Sequence, residues 1–266
     1  MTTKVIVNAD DFGYTNSVNY GILDSHLNGV LTSTTLMPNM PGFNHAVAIK
    51  KATPTLGVGV HLVMTCGAPI LKTHTELVDE NGLFHKNRRY TSDFVFTDTI
   101  IEELRAEWTA QIDKVYAAGI TPTHIDGHHH MFVMFPQTRA LSIELAQKYN
   151  LPMRVDGVRI TKAEVPETIA GVEYFEHDFD EIGFEKLRND VEAKEAYYQT
   201  LLEKMKQYDT VEIMTHPAYI SQPVMEGSSW NLERMYVATE LMQSTFAQAL
   251  KEDADFELVN YGMFQK

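Results

Sequence analysis

Short β-branched apolar runs alternate along this chain with longer stretches of helical periodicity. Val5 to Val7 is a compact apolar run suited to a strand buried on both faces. A helix is expected from Ser17 to Leu27, stopped by Asn28-Gly29. Thr32 to Met37 reads as a second strand, Phe43 to Lys51 as a helix, and Leu56 to Val63 as a third strand. Glu102 to Ala118 has Leu104, Trp108, Ile112 and Val115 on one helical face, with Gly119 as its stop. His124 to Asp126 is a short strand and Gln137 to Tyr149 a helix. Met153 to Asp156, Val172 to Phe175, Val211 to Thr215 and Phe256 to Asn260 complete the strand candidates. Phe184 to Tyr208 and Leu232 to Leu250 read as helices. Such alternation is the signature of βαβ units on a parallel sheet. About eight strand candidates favour a (β/α) barrel over an open doubly wound sheet. No glycine-rich dinucleotide fingerprint follows the first strand, and several strands are short, so a distorted, incomplete barrel is expected.

At 266 residues and 44% hydrophobic content, the chain fits a single α/β domain with a sizeable core. No composition break or linker divides it. The segment from about 66 to 95 is loop-rich and reads as an insertion. The formal net charge is -14, which argues against nucleic acid or an anionic membrane as partner. No run of about 20 apolar residues is present, so no membrane span is expected. The N-terminal segment does not read as a signal peptide. Cys66 is the sole cysteine, which excludes an intrachain disulfide and makes a cytoplasmic setting the default. A homodimer is expected on general grounds alone.

The titratable residues collect at strand ends. Asp10 and Asp11 end the first strand, and His61 lies near the end of the third. Asp126, His128, His129 and His130 follow the strand that begins at His124, and His216 follows Val211 to Thr215. In a parallel barrel these ends share one rim, where active sites are built. Adjacent acids in an extended segment point to opposite sides, so Asp10 and Asp11 should have different tasks, one as metal ligand and one as general base. A helix N-cap is the bland alternative. His61, taken alone, would more often be a core histidine; its place at the rim argues otherwise. In the triple histidine, alternation would put His128 and His130 on one side and His129 on the other. His128 is assigned as a ligand, with Asp126 orienting an imidazole from behind. His130 is a candidate for substrate contact or support. His216, ahead of Pro217, is placed to protonate a leaving amine or stabilise an oxyanion. Arg154 could pair with Asp10 or with Asp156. Trp230 and Tyr219 could stack on a sugar face. One carboxylate and two imidazoles leave a divalent metal with open positions for water and substrate.

These residues carry a resemblance. The chain resembles the YdjC-like (ChbG-type chitooligosaccharide) deacetylases through Val5 to Gly13, Thr32 to Thr35, Gly59-Val60-His61 with Thr65, Pro122 to His130, and Thr215-His216-Pro217. The resemblance implies a distorted (β/α) barrel of the polysaccharide-deacetylase-like type. It implies removal of acetyl groups from a small N-acetylated sugar such as diacetylchitobiose. It implies a metal, Mg2+ or Zn2+, on Asp11, His61 and His128, with Asp10 as general base and His216 as acid. Gly127 stands where the family usually has serine, Met64 where it has leucine, and no further histidine follows His130. These departures touch the substrate side more than the ligands. Two other readings compete. One is a barrel hydrolase or isomerase acting on another carbonyl or a phosphate, separable by assaying acetate against phosphate release. The other is a non-catalytic sugar-binding relic, which would keep its affinity after chelation.

Overall fold

In a computed structural model, residues 2–265 are described, and seven parallel strands form one sheet. They are β1 (Thr3–Phe12), β2 (Ser33–Leu36), β3 (Gly57–Leu62), β4 (Ile125–Gly127), β5 (Tyr174–Glu176), β6 (Thr210–Thr215) and β7 (Phe256–Leu258). The order is β4-β3-β2-β1-β6-β5, with β7 also on β1. Because β1 is long, its one edge serves two partners. Thr3, Lys4 and Val5 pair with β7, while Asn8 to Phe12 pair with β2. Its other edge pairs with β6 from Lys4 to Ala9. Val5, Ile6 and Val7 are wholly buried, as a strand covered on both faces requires. This is the distorted half-barrel that the alternation of elements pointed to.

The eighth expected strand is absent. Met153 makes a single parallel bridge to Ile125 and donates its N–H to Ile169 O at 3.0 Å. The segment cannot extend further because Asp156 Oδ1 draws in the N–H groups of Val158, Arg159 and Ile160, which turns the chain. The sheet is therefore joined at this side by isolated hydrogen bonds rather than by a ladder. Two expected helices are each broken by a capping residue. Asp190 caps Val191–Met205, separating it from Glu185–Arg188, and Ser244 caps Thr245–Glu252 after Leu232–Gln243. No pattern had announced the short helices Met131–Met134 and Gln222–Gly227.

The loop-rich stretch after β3 is fastened to the helix Asp98–Ala117. Glu107, fully buried, accepts from the N–H groups of Ile70 and Leu71 at 2.8 and 3.0 Å. One turn later Gln111 exchanges two hydrogen bonds with the backbone of Val63, each 2.8 Å. These polar residues face inward because they satisfy backbone groups that the end of β3 and the loop after it leave unpaired. No helix among the described residues is long and apolar enough to cross a membrane.

Gly59 sets how closely β3 and the approach to β4 can pack. A Cβ there would lie 2.5 Å from His124 Nδ1 and 2.7 Å from the His124 carbonyl oxygen. Gly59→Ala should therefore destabilise the protein by about 1–3 kcal/mol, read by denaturant unfolding. Wild-type stability in that variant would mean that the two strands are not in tight contact.

Candidate functional site

The sheet brings all the strand-end residues to one rim. β1 ends in a register shift between Ala9 and Phe12, with Asp11 in the left-handed region at φ 70°. That bulge turns the two neighbouring carboxylates to different partners. Neither caps the following helix, because Thr15 does so.

Asp10 is clamped by Arg154, whose Nη1 donates to Oδ2 at 2.8 Å and whose Nη2 donates to Oδ1 at 2.6 Å. Asn8 Nδ2 adds a bond to Oδ1 at 3.0 Å. Burial works to raise the Asp10 pKa, but the Arg154 charge and hydrogen bonds outweigh it and hold the carboxyl far below the usual range. The same guanidinium reaches Asp126 Oδ2 at 2.9 Å and Glu212 Oε1 at 2.7 Å. Asp156, the other partner considered for Arg154, is held by Arg159 instead.

Asp11 faces the other way. Its Oδ2 accepts from Arg234 Nη2 at 2.7 Å. Its Oδ1 is buried and has no N–H directed at it. Around Oδ1 lie His128 Nδ1 at 3.0 Å and His61 Nε2 at 3.5 Å. Burial would raise the Asp11 pKa, yet the neighbouring His128 and Arg234 hold it well below the ordinary value.

His61 is oriented from behind by Asp126, whose Oδ1 accepts from Nδ1 at 2.7 Å. Thr35 Oγ1 donates to Asp126 Oδ2 at 3.0 Å. Burial pulls the His61 pKa down, but Asp126 reverses the effect and pushes it up to about 9. With Nδ1–H committed to Asp126, Nε2 is the nitrogen turned to Asp11. Asp126 thus lies behind the imidazole of His61.

Strand alternation does not extend through the triple histidine. The chain leaves β4 at Gly127, and His129 and His130 both adopt φ 55°. Each left-handed residue costs about 1–2 kcal/mol, which the surrounding packing has to offset. His128 and His129 lie ring against ring at 3.9 Å, so His129 does not point away from His128. His129 Nδ1 is bonded to Thr65 Oγ1 at 3.0 Å, and the His130 ring stands edge-on to Phe175. His124 is wholly buried and stacked on Tyr261 at 3.7 Å.

His216 follows β6 with its Nε2 3.9 Å from Asp10 Oδ2. Its Nδ1 is bonded to Asp180 Oδ2 at 2.6 Å. Burial lowers the His216 pKa, and Asp180 more than compensates, so the net shift is upward. Trp230 packs edge-on against His216 at 5.2 Å. Tyr219 is directed elsewhere, its hydroxyl bonded to Asp24. Asp10, Asp11, His61, His128, His129, His130, His216 and Arg234 border a cavity of about 640 Å³, walled also by Lys86 and Arg88 of the loop-rich segment and by Ser228 to Trp230.

Two groups of three side chains are close enough to share a cation among the described residues. They are Asp11, His61 and His128, and Asp10, His61 and Asp126. In the second, Arg154 takes both oxygens of Asp10 and one of Asp126, and His61 Nδ1 takes the other. In the first, Asp11 Oδ1, His61 Nε2 and His128 Nδ1 converge with no donor directed at the oxygen. The first set alone offers the lone pairs that a cation needs.

Arg234, Asp180 and Glu212 were not singled out in the sequence. Glu212 had a legible signal, a charge inside the apolar strand Val211 to Met214. Asp180 lies in an acidic stretch, and Arg234 on an ordinary amphipathic helix, where neither stands out.

The model of a family described as YdjC-like protein matches residues 4–252. A carbohydrate deacetylase of Brevibacillus brevis is 39% identical over 262 residues, which is 97% of this chain and 98% of that protein. A carbohydrate deacetylase of Geobacillus stearothermophilus is 37% identical over 266 residues and all of both chains. The crystal structure of a proposed cellobiose-phosphate cleavage protein from Enterococcus faecalis superposes with a TM-score of 0.84 at 30% identity, covering 99% of each chain.

In chelator-treated protein, Asp126→Asn should bring the His61 pKa down from about 9 toward its ordinary 6.5 or lower, read by NMR titration of the ring. A value still near 9 would mean that Asp126 is not what holds the proton there.

Proposed function

Because the chain belongs to the YdjC-like family, we propose that it is a metal-dependent hydrolase that removes acetyl groups from N-acetylated sugars such as diacetylchitobiose. The relatives named as carbohydrate deacetylases, matched over nearly their whole length, support the reaction class. The observation that carries the metal dependence is the convergence of Asp11 Oδ1, His61 Nε2 and His128 Nδ1 beside Asp10 and His216 in one cavity. Asp11, His61 and His128 would hold a divalent cation, which when bound would supply polarisation of an acetamide carbonyl and acidification of a water. Two imidazoles among three ligands favour Zn2+ over Mg2+, which prefers oxygen donors.

The chain's own residues account for the proton movements. Arg154 keeps Asp10 ionised, so this carboxylate can take a proton from the attacking water. The water oxygen joins the acetyl carbon, and the carbon–nitrogen bond breaks. Asp180 holds the Nδ1 proton of His216, which leaves Nε2 as the nitrogen that delivers a proton to the departing amine. Asp10 and His216 lie side by side, one accepting and one donating. The products are acetate and the amino sugar. A cytoplasmic setting is part of the same reading, supported by a chain that needs no disulfide.

Acetate release from a panel of N-acetylated mono- and disaccharides should fall to background after chelation and return with added Zn2+. Undiminished release from chelated protein would refute metal dependence, and phosphate release in its place would refute the reaction. With metal still bound, Asp10→Asn should cost about 10²–10⁴ in kcat. Asp180→Asn should move the alkaline limb of the kcat/KM profile to lower pH. The upward shift of His216 keeps its acid form populated at higher pH, and the variant removes the cause of that shift. An unmoved limb would take the acid role away from His216.

A further inference from the structure

Arg234 enters none of the proton transfers above, yet it touches the carboxylate at the centre of the site. It projects from the first turn of the helix Leu232–Gln243 and is only 6% exposed. Its Nη2 donates to Asp11 Oδ2 at 2.7 Å. Its Nε donates to Trp230 O at 3.0 Å, and Nη2 also lies 3.4 Å from Ser228 Oγ. Its own carbonyl accepts from Ala218 N at 3.1 Å. The guanidinium is thus held beside Asp11 through Nε and Nη2, while Nη1 is buried without a partner.

A carboxylate can meet a cation through one oxygen or through both. Here the two oxygens of Asp11 are kept apart in role. Oδ2 is taken by Arg234, while Oδ1 is free and faces His61 and His128. We propose that Arg234 is a positioning residue that occupies one oxygen of Asp11, so that this ligand meets a divalent cation through Oδ1 alone. The proposal rests on the reading of Asp11, His61 and His128 as the metal ligands. Without the guanidinium, Oδ2 would be buried and unpaired. It would then either join Oδ1 on the cation or turn the carboxylate out of line.

Chelator-treated wild type, Arg234→Met, Arg234→Gln and Arg234→Lys should be titrated with Co2+, reading calorimetric affinity and the visible spectrum of the bound ion. Wild type should take up one Co2+. In Arg234→Met the affinity should fall about 10–100-fold, and the spectrum should change with coordination number. Arg234→Lys, whose ammonium can still reach Oδ2, should recover the wild-type spectrum. Should Arg234→Met fail to fold, Arg234→Gln carries the same expectation, because its amide stops short of Oδ2. Wild-type affinity and spectrum in a folded Met or Gln variant would overturn the positioning role and leave the ligand assignment standing. A change of affinity in either direction with the wild-type spectrum retained would overturn it as well. A wild-type protein that takes up no Co2+ would overturn both the role and the assignment.

Discussion

One guanidinium holds the rim of this molecule together. Arg154 is fully buried, and its Nη2 lies 2.6, 2.9 and 2.7 Å from carboxylate oxygens of Asp10, Asp126 and Glu212. Those acids come from β1, β4 and β6, and Arg154 itself from the segment where the sheet lacks a ladder. An ion cluster of this kind is poor value for stability alone, since desolvation offsets much of the attraction. Removing its cation is another matter, because three buried carboxylates would then repel one another at the place where the sheet is least paired. The cluster makes the orientation of Asp10 and, through Asp126, that of His61 parts of one structure.

The division of labour between the adjacent aspartates follows from backbone geometry. A regular strand would have sent one of the two side chains away from the rim. The bulge and the left-handed turn at Asp11 let both reach it with different neighbours. Asp10 receives Arg154, and Asp11 receives Arg234 and the two imidazoles. Each has one cationic partner fixed by packing, which keeps both ionised despite near-complete burial.

What could be read in the sequence was what depends on chain-local pattern. The apolar run at Val5 to Val7, the periodicity of the helix that carries Trp108, and the strand-end positions of Asp10, Asp11, His61 and His216 needed no knowledge of distant partners. The fold class followed from the order of these pieces. The missing strand at Met153 and the geometry of His129 and His130 were not legible, because each is decided by tertiary contacts. Asp156 turns the chain after a single bridge, and two consecutive left-handed histidines override the alternation that a strand would impose. Asp180 and Arg234 look like ordinary surface charges in sequence. They become part of the site only because the helices that carry them return over the rim, and no local pattern reports that return.

The charge balance of the site argues for what it is built to hold. Five acids around the rim are buried, namely Asp10, Asp11, Asp126, Asp180 and Glu212, against two arginines, Arg154 and Arg234. Such an excess of buried negative charge is costly unless something positive joins it. His216 supplies part of the difference, because Asp180 holds it toward its protonated form. A dication at Asp11 Oδ1, His61 Nε2 and His128 Nδ1 would supply the rest. Two arginines, one protonated histidine and one divalent ion would then match five carboxylates. The proposed ligand set thus answers an electrostatic deficit written into the strand ends.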